Sequence, residues 1–307
     1  MDGIINVHKE KGYTSHDVVA KLRGILHQKK IGHTGTLDPE ATGVLPVCLG
    51  RATKVCELLT DKSKTYVAVV RLGVVTDTQD MTGNILEERP VNTTLSQIGK
   101  VTEGFVGEIW QTPPMYSAIK VNGKRLYELA RQGIEVERKK RKITVYSCEV
   151  TGFCPERKEF TMEVRCSKGT YIRTLCHDIG KELSCGAAMA SLVRTRVDDF
   201  GLEKAHTLSE IEEFYREDRM GEILFPVDFI FQAYPQVTVL EKGIKLLQNG
   251  NQIPKNLCRS TGQLQKDSLV RMYDEKGRFY AVYTYNAVGQ NFLNHKMFFS
   301  DGFAGQG

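Results

Sequence analysis

Residues 32–46 read Gly-His-Thr-Gly-Thr-Leu-Asp-Pro-Glu-Ala-Thr-Gly-Val-Leu-Pro, and no single regular element can accommodate them. Gly32, Gly35 and Gly43 permit backbone conformations and close approaches that a Cβ forbids. Pro39 fixes its own φ and drives Asp38 out of the helical region. The stretch therefore predicts an irregular loop that offers one carboxylate at a chosen angle. Loops on a rigid scaffold are where binding and catalytic residues concentrate. The same composition also suits a surface turn whose aspartate caps a helix.

Around this loop the periodicities alternate between helix and strand. Ser15 reads as the N-cap of a helix over about 16–28, with Val18, Val19, Leu22, Ile25 and Leu26 on one face. A short helix is expected near 51–60. Apolar residues on both sides of 64–74 predict a strand buried on both faces. A further strand is expected at 159–167, and Gly169-Thr170 opens a helix over about 171–183. Without regular strand–helix–strand alternation, the fold class is α+β. Pro226 and Pro235 bracket an apolar connector, Val227-Asp228-Phe229-Ile230-Phe231. Beyond it come a short helix at 241–248 and strands at 268–273 and 279–285, joined by a turn at 274–277. This pattern divides the chain into a large unit, 1–230, and a small barrel-like unit, 235–300.

Composition narrows the chemistry. No apolar run approaches the roughly 20 residues that cross a bilayer, and no basic stretch leads into a long apolar one at the N-terminus. A cytoplasmic protein with no membrane partner is expected. The eight cysteines include no Cys-x-x-Cys pair, which points to reduced core thiols rather than zinc or disulfides. A net charge of +5 conceals a concentrated basic segment. Between 120 and 142 lie Lys120, Lys124, Arg125, Arg131, Arg138, Lys139, Lys140, Arg141 and Lys142, opposed by Glu128, Glu135 and Glu137. A polyanion such as RNA would release counterions on binding there. A solvated loop that orders only on its ligand has the same composition.

Gly-His-x-Gly-x-Leu-Asp-Pro-x-Ala-x-Gly-x-Leu resembles the catalytic motif of the TruB family of tRNA pseudouridine synthases. Further matches extend the resemblance from Gly3 to about Phe298, and it is to the stand-alone bacterial enzymes rather than to their RNA-guided relatives. The resemblance implies a mixed, mainly antiparallel sheet with flanking helices, a basic RNA-clamping insertion at about 110–145, and a small C-terminal β-barrel-like PUA domain. It implies isomerisation of uridine 55 in the TΨC loop of tRNA. The substrate would be the tRNA T-arm, and the protein a monomer with no obligate protein partner. Asp38 falls at the family's essential aspartate, and Arg173, in Lys-Gly-Thr-Tyr-Ile-Arg-Thr-Leu, at the arginine that keeps it anionic. Tyr66, in Lys64-Thr65-Tyr66, would stack on the target base and assist loss of its C5 proton. Lys64, Tyr171 and Leu192 fall in the uracil pocket, and His33 at the histidine that props the vacated stack. Pro113–Lys120 and Gly123–Glu128 match further signatures, placing Lys120, Lys124, Arg125, Lys139 and Lys140 against RNA.

Pseudouridine formation breaks one C–N bond and makes one C–C bond, with no net oxidation. No metal, cofactor or nucleotide is expected, and the chain lacks a GxxxxGK[ST] loop. A carboxylate can attack the anomeric carbon, as in retaining glycosidases, or act on the base ring or a sugar proton. The competing reading is a non-catalytic RNA-binding protein or tRNA-folding chaperone, because Gly32-His33-Thr34-Gly35 satisfies the GxxG of a KH domain.

Overall fold

The computed structural model describes residues 1–121, 123–260 and 262–300. Its elements run β1 (Gly3–Lys9), α1 (Ser15–Ile25), β2 (Ile31–His33), β3 (Thr42–Leu49), a 3-10 turn into α2 (Cys56–Thr60), and β4 (Lys64–Leu72). The hairpin β5 (Val74–Thr76)–β6 (Ile85–Glu88) follows, then α3 (Leu95–Glu103) and β7 (Gly107–Gln111). A second hairpin, β8 (Lys120–Val121)–β9 (Lys124–Arg125), leads into α4 (Leu126–Arg131). Next come β10 (Arg141–Cys154), β11 (Glu159–Cys166), α5 (Ile172–Glu182), β12 (Ala187–Val197), β13 (Phe200–Gly201), α6 (Leu208–Arg216) and β14 (Leu224–Phe225).

Ten of these strands make one sheet in the order β14-β1-β3-β12-β4-β11-β10-β7, with β13 on β12 and β2 on β3. Every pairing in it is antiparallel except β12 with β3. Apolar residues of α5 (Ile172, Leu175, Ile179) and of α3 (Ile98) pack on the face formed by Tyr66, Ala68, Val70, Phe160, Met162 and Val164. Helices α1 and α6 pack on the β1–β3 half through Val18, Leu22, Leu208 and Ile211. A second, six-stranded sheet holds the strands between Gln236 and Met297. It packs on the first through Phe231, Phe279 and Phe298, whose rings lie 5.3–6.0 Å apart. The α+β class and the barrel-like C-terminal sheet are those expected from sequence.

Three details differ. Helix α1 is capped by Thr14, whose hydroxyl accepts from Asp17 N while the Asp17 carboxylate accepts from Thr14 N. That reciprocal box outcompetes Ser15, whose hydroxyl is used elsewhere. The helix stops at Ile25, ahead of a left-handed His27 (φ 48°). Strand β4 is buried on one face and half-buried on the other. The basic segment is not one loop; it contains the β8–β9 hairpin and α4.

Candidate active site

Asp38 lies between β2 and β3, and several elements fasten the loop around it. Leu37 N donates to Ser15 Oγ (2.9 Å), and Thr34 donates both its amide and its hydroxyl to Pro46 O (3.1 Å each). Pro39 O accepts from Gly12 N (2.9 Å) and from Lys9 Nζ (3.1 Å). Lys9 is fully buried, and its ammonium also bonds the carbonyls of Glu10 and Tyr13. Burial lowers its pKa to about 8, against the pull of Asp38 and Glu40. The strand pairing of Gly32 and His33 and the anchoring of Thr34 consume the GxxG segment. It is not a free loop that could clamp nucleotides in the KH manner.

Arg173 reaches Asp38 from the first turn of α5. The helix has no side-chain cap at Tyr171; instead the Gln111 amide accepts from Tyr171 N (2.8 Å) and donates to Tyr171 O (3.0 Å). Thr174 Oγ1 donates to Gln79 Oε1 (2.7 Å), fixing the same turn to the β5–β6 connection. The Arg173 side chain is 8% exposed and finds four acceptors. Nε lies 3.1 Å from Asp38 Oδ2, and Nη1 lies 3.2 Å from Asp80 Oδ2 and 3.3 Å from Thr78 O. Nη2 donates to Tyr116 O at 2.8 Å. Asp80 is held in turn by Thr78 Oγ1 (2.8 Å) and by the Thr82 amide (3.0 Å). The guanidinium thus bridges two carboxylates in the planar geometry that a lysine cannot reproduce.

One side of the Asp38 carboxylate is open, with 43% of its side chain exposed, while protein crowds the other. That crowding pushes its pKa up; Arg173 opposes the rise and Asp80 adds to it. Tyr66 points from β4 into the core face beside Leu192 of β12, 9% and 8% exposed. Burial raises the Tyr66 pKa, and the positive charge of the Arg194 guanidinium pulls the other way. Half-buried Tyr171 is raised by burial, opposed by the positive charges of Arg141 and Arg173. Both phenols feel the Asp38 charge, Arg173 pairs with that carboxylate, and Leu192 shares the buried cluster of Tyr66 and Leu37.

The remaining residues expected from sequence lie around or apart from this cluster. His33 ends β2 beside the loop; its ring meets His16 edge-on at 5.2 Å, and burial lowers its pKa. Lys64 spends its ammonium on the carbonyls of Thr60 (2.6 Å) and Lys62 (2.7 Å), and burial takes its pKa to about 8. Lys120, Lys124 and Arg125 form the β8–β9 hairpin, where Arg125 also bonds the Tyr127 hydroxyl at 2.8 Å. Lys139 and Lys140 are exposed just before β10. Asp80, Lys9 and Arg194 escaped the sequence reading. The turn-rich run Asp77-Thr78-Gln79-Asp80 was a signal for the first, whereas the other two bond backbone carbonyls and leave no side-chain motif.

Two family descriptions match consecutive parts of the chain: the TruB family pseudouridylate synthase N-terminal domain at residues 23–172, and the tRNA pseudouridylate synthase B C-terminal domain at 173–232. The chain is 52% identical to tRNA pseudouridine synthase B of Lachnoclostridium phytofermentans, over 97% of this chain and all of that one. It is 43% identical to the protein of the same name from Bacillus pumilus, over 95% and 96% of the two chains. Among solved structures, a chain of an H/ACA RNP bound to a substrate RNA containing 2′-deoxyuridine superposes with a TM-score of 0.73 at 26% identity. That likeness covers 98% of this chain and 87% of the other. A chain of a Cbf5–Nop10–Gar1 complex gives 0.71 at 29% identity, over 96% and 84%. The glycine-shaped loop, the arginine that meets its aspartate and these matches agree: the chain belongs to the TruB family of pseudouridylate synthases.

Proposed function

We propose that this protein is a stand-alone tRNA pseudouridine synthase that isomerises uridine 55 of the T loop, with Asp38 as the reacting group. The observation that carries the reading is the Asp38–Arg173 pair: a half-open carboxylate bonded to a buried guanidinium, with two phenols in its field. Arg173 opposes the rise that burial imposes on the carboxylate and so favours the anion the chemistry needs. The uracil N1–C1′ bond breaks, the base turns, and C5 bonds to C1′; C5 then loses a proton and N1 gains one. Asp38 serves this by attack at C1′, by addition to C6 or by abstraction of a sugar proton. Tyr66, Tyr171 and Leu192 form the wall against which the base would stack, and stacking on an aromatic ring is worth about 1–3 kcal/mol per base. Extraction of a stacked uridine from the loop leaves a gap beside His33.

The reading extends to the whole chain. Residues 1–230 form the catalytic domain, with the basic insertion at about 110–145 closing on the T-arm, and 235–300 form the PUA-like RNA-binding domain. The protein acts as a cytoplasmic monomer without cofactor. Purified protein incubated with unmodified tRNA, without added metal or nucleotide, should produce pseudouridine at position 55 and nowhere else in the T-arm. Asp38→Asn should bind the same tRNA and produce none. Undiminished pseudouridine from that variant excludes the reading.

A further inference from the structure

We propose that Arg194 is a positioning residue of this site: its buried guanidinium ties both ends of the Asp38 loop to strand β12 and, facing Tyr66 across the β4–β12 pairing, holds the Tyr66 hydroxyl in register with the Asp38 carboxylate. The inference rests on the reading of the chain as a pseudouridine synthase.

Arg194 is 1% exposed and is among the largest fully buried side chains. Its Nε donates to Val44 O at 2.7 Å, and its Nη2 to Gly35 O at 3.5 Å. Gly35 and Val44 bracket the Asp38 loop on either side. Tyr66 stands opposite Arg194 in the β4–β12 register, and its hydroxyl lies in the field of that guanidinium. On its other side Arg194 aligns with Gly43 of β3, where a Cβ would collide with the Arg194 carbonyl oxygen. A Cβ on Gly35 (φ +133°) would lie 3.7 Å from Nη1. The loop is therefore fastened to this arginine at both ends through the Gly35 and Val44 carbonyls, and packed against its backbone at Gly43.

Among the described residues no carboxylate pairs with Arg194; its hydrogen-bond partners are two carbonyls, and the nearest acidic group is the phenol of Tyr66, opposite it in the register. Burial of a charge without an opposite charge is expensive, and an apolar side chain of similar length would fill the slot without that cost. The groups around it are Lys9 on β1, His33 on β2 and Lys64 on β4, all of which its field disfavours as cations. Asp38 and Cys166 of β11 face Tyr66. The Arg194 charge favours the phenolate form of Tyr66, whereas burial, Cys166 and Asp38 oppose it. The chemistry uses that form once C5 has joined C1′. Loss of the Tyr66 proton to solvent gives the phenolate, which takes the C5 proton and ends as a neutral phenol; the C–H electron pair restores the C5–C6 double bond while the N1–C6 π pair returns to N1, which takes a proton from solvent.

The test is single-turnover pseudouridine formation against pH with saturating unmodified tRNA, run on wild type, Arg194→Gln, Arg194→Lys, Tyr66→Phe and the Gln/Phe double variant. Arg194→Gln should lose about 10²-fold in rate, the scale of a misplaced reacting group, while tRNA affinity holds. Its rate should rise to a plateau at higher pH than wild type, whereas Arg194→Lys, which keeps the charge, should recover part of the rate without that displacement. In the Tyr66→Phe background the Gln substitution should cost little more, because both changes act on one group. A wild-type rate in Arg194→Gln, or losses that multiply in the double variant, overturns the inference. If the Gln variant does not fold, Arg194→Lys decides, since loss of the planar fork should still slow turnover and an unchanged rate refutes the role. Wild-type protein that forms no pseudouridine removes the functional reading itself, whereas an active wild type with an unaffected Arg194→Gln removes only this inference.

Discussion

Burial and the neighbouring Asp80 both favour the protonated form of Asp38, and Arg173, with Lys9 behind it, opposes them. A carboxylate whose folded pKa is raised above its unfolded value binds its proton more tightly in the folded chain. Its ionisation therefore costs stability at neutral pH, and that cost disappears as pH falls through the raised pKa. Asp38→Asn should accordingly melt at or above the wild-type temperature at pH 7, with the difference shrinking in acid; calorimetry that finds a clearly lower melting point at pH 7 refutes the electrostatic account. Wild-type turnover should fall on the acid side at a pH above the ordinary carboxylate range. Arg173→Lys keeps a charge but not the fork that spans Asp38 and Asp80, so kcat should drop by about 10²-fold through misalignment alone. The acid limb of its pH profile should move further up, because the anion has lost part of its stabilisation; a limb that stays in place argues against Arg173 as the controlling cation. Asp38 and Arg173 were legible because each sits in a distinctive string of residues. Lys9 and Arg194 were not, because what fixes them is backbone carbonyls brought near by folding, and carbonyls carry no sequence signature.

At the scale of elements, the site sits on the seam where β12 pairs parallel with β3 on one side and antiparallel with β4 on the other. Gly43 makes that seam possible. Its φ of +104° suits glycine, and a Cβ there would drive into the Arg194 backbone. Gly43→Ala should destabilise the protein by about 1–3 kcal/mol from the backbone conformation alone, with the collision adding to it. Urea unfolding should register the change, and a loss below about 0.5 kcal/mol, the size of an ordinary surface substitution, would mean the seam tolerates a side chain. Long periodic elements such as α5 and β11 were readable within a residue or so, as was the Asp274–Gly277 turn. Two-residue strands such as β13 and β14 were not, since two residues show no period. The start of α1 moved by one position because Thr14 has Asp17 three residues on, and Ser15 is claimed by Leu37 of the Asp38 loop. That second contact depends on tertiary structure and was invisible in the local pattern.

Across the whole molecule, the basic segment and Arg173 are physically joined, because Arg173 donates to the carbonyl of Tyr116, a few residues ahead of that segment. RNA that settles on the insertion can therefore act on the site through one hydrogen bond rather than at a distance. Not all of the segment's cations are free for this. Arg138 is engaged by Pro113 O and Glu135, and Lys142 by Glu108 at 2.9 Å. Lys139 and Lys140 are exposed and, among the described residues, form no ion pair, so they can meet phosphate without breaking a bond. Replacing both with alanine should weaken tRNA binding most at low salt and progressively less as salt rises. The dependence of log affinity on log salt should flatten by about 0.7–0.9 for each phosphate that is no longer neutralised. Titrations at several ionic strengths measure this directly. An equal weakening at every salt concentration would point instead to a change in the fold of the insertion, and unchanged binding would mean the RNA approaches from another side.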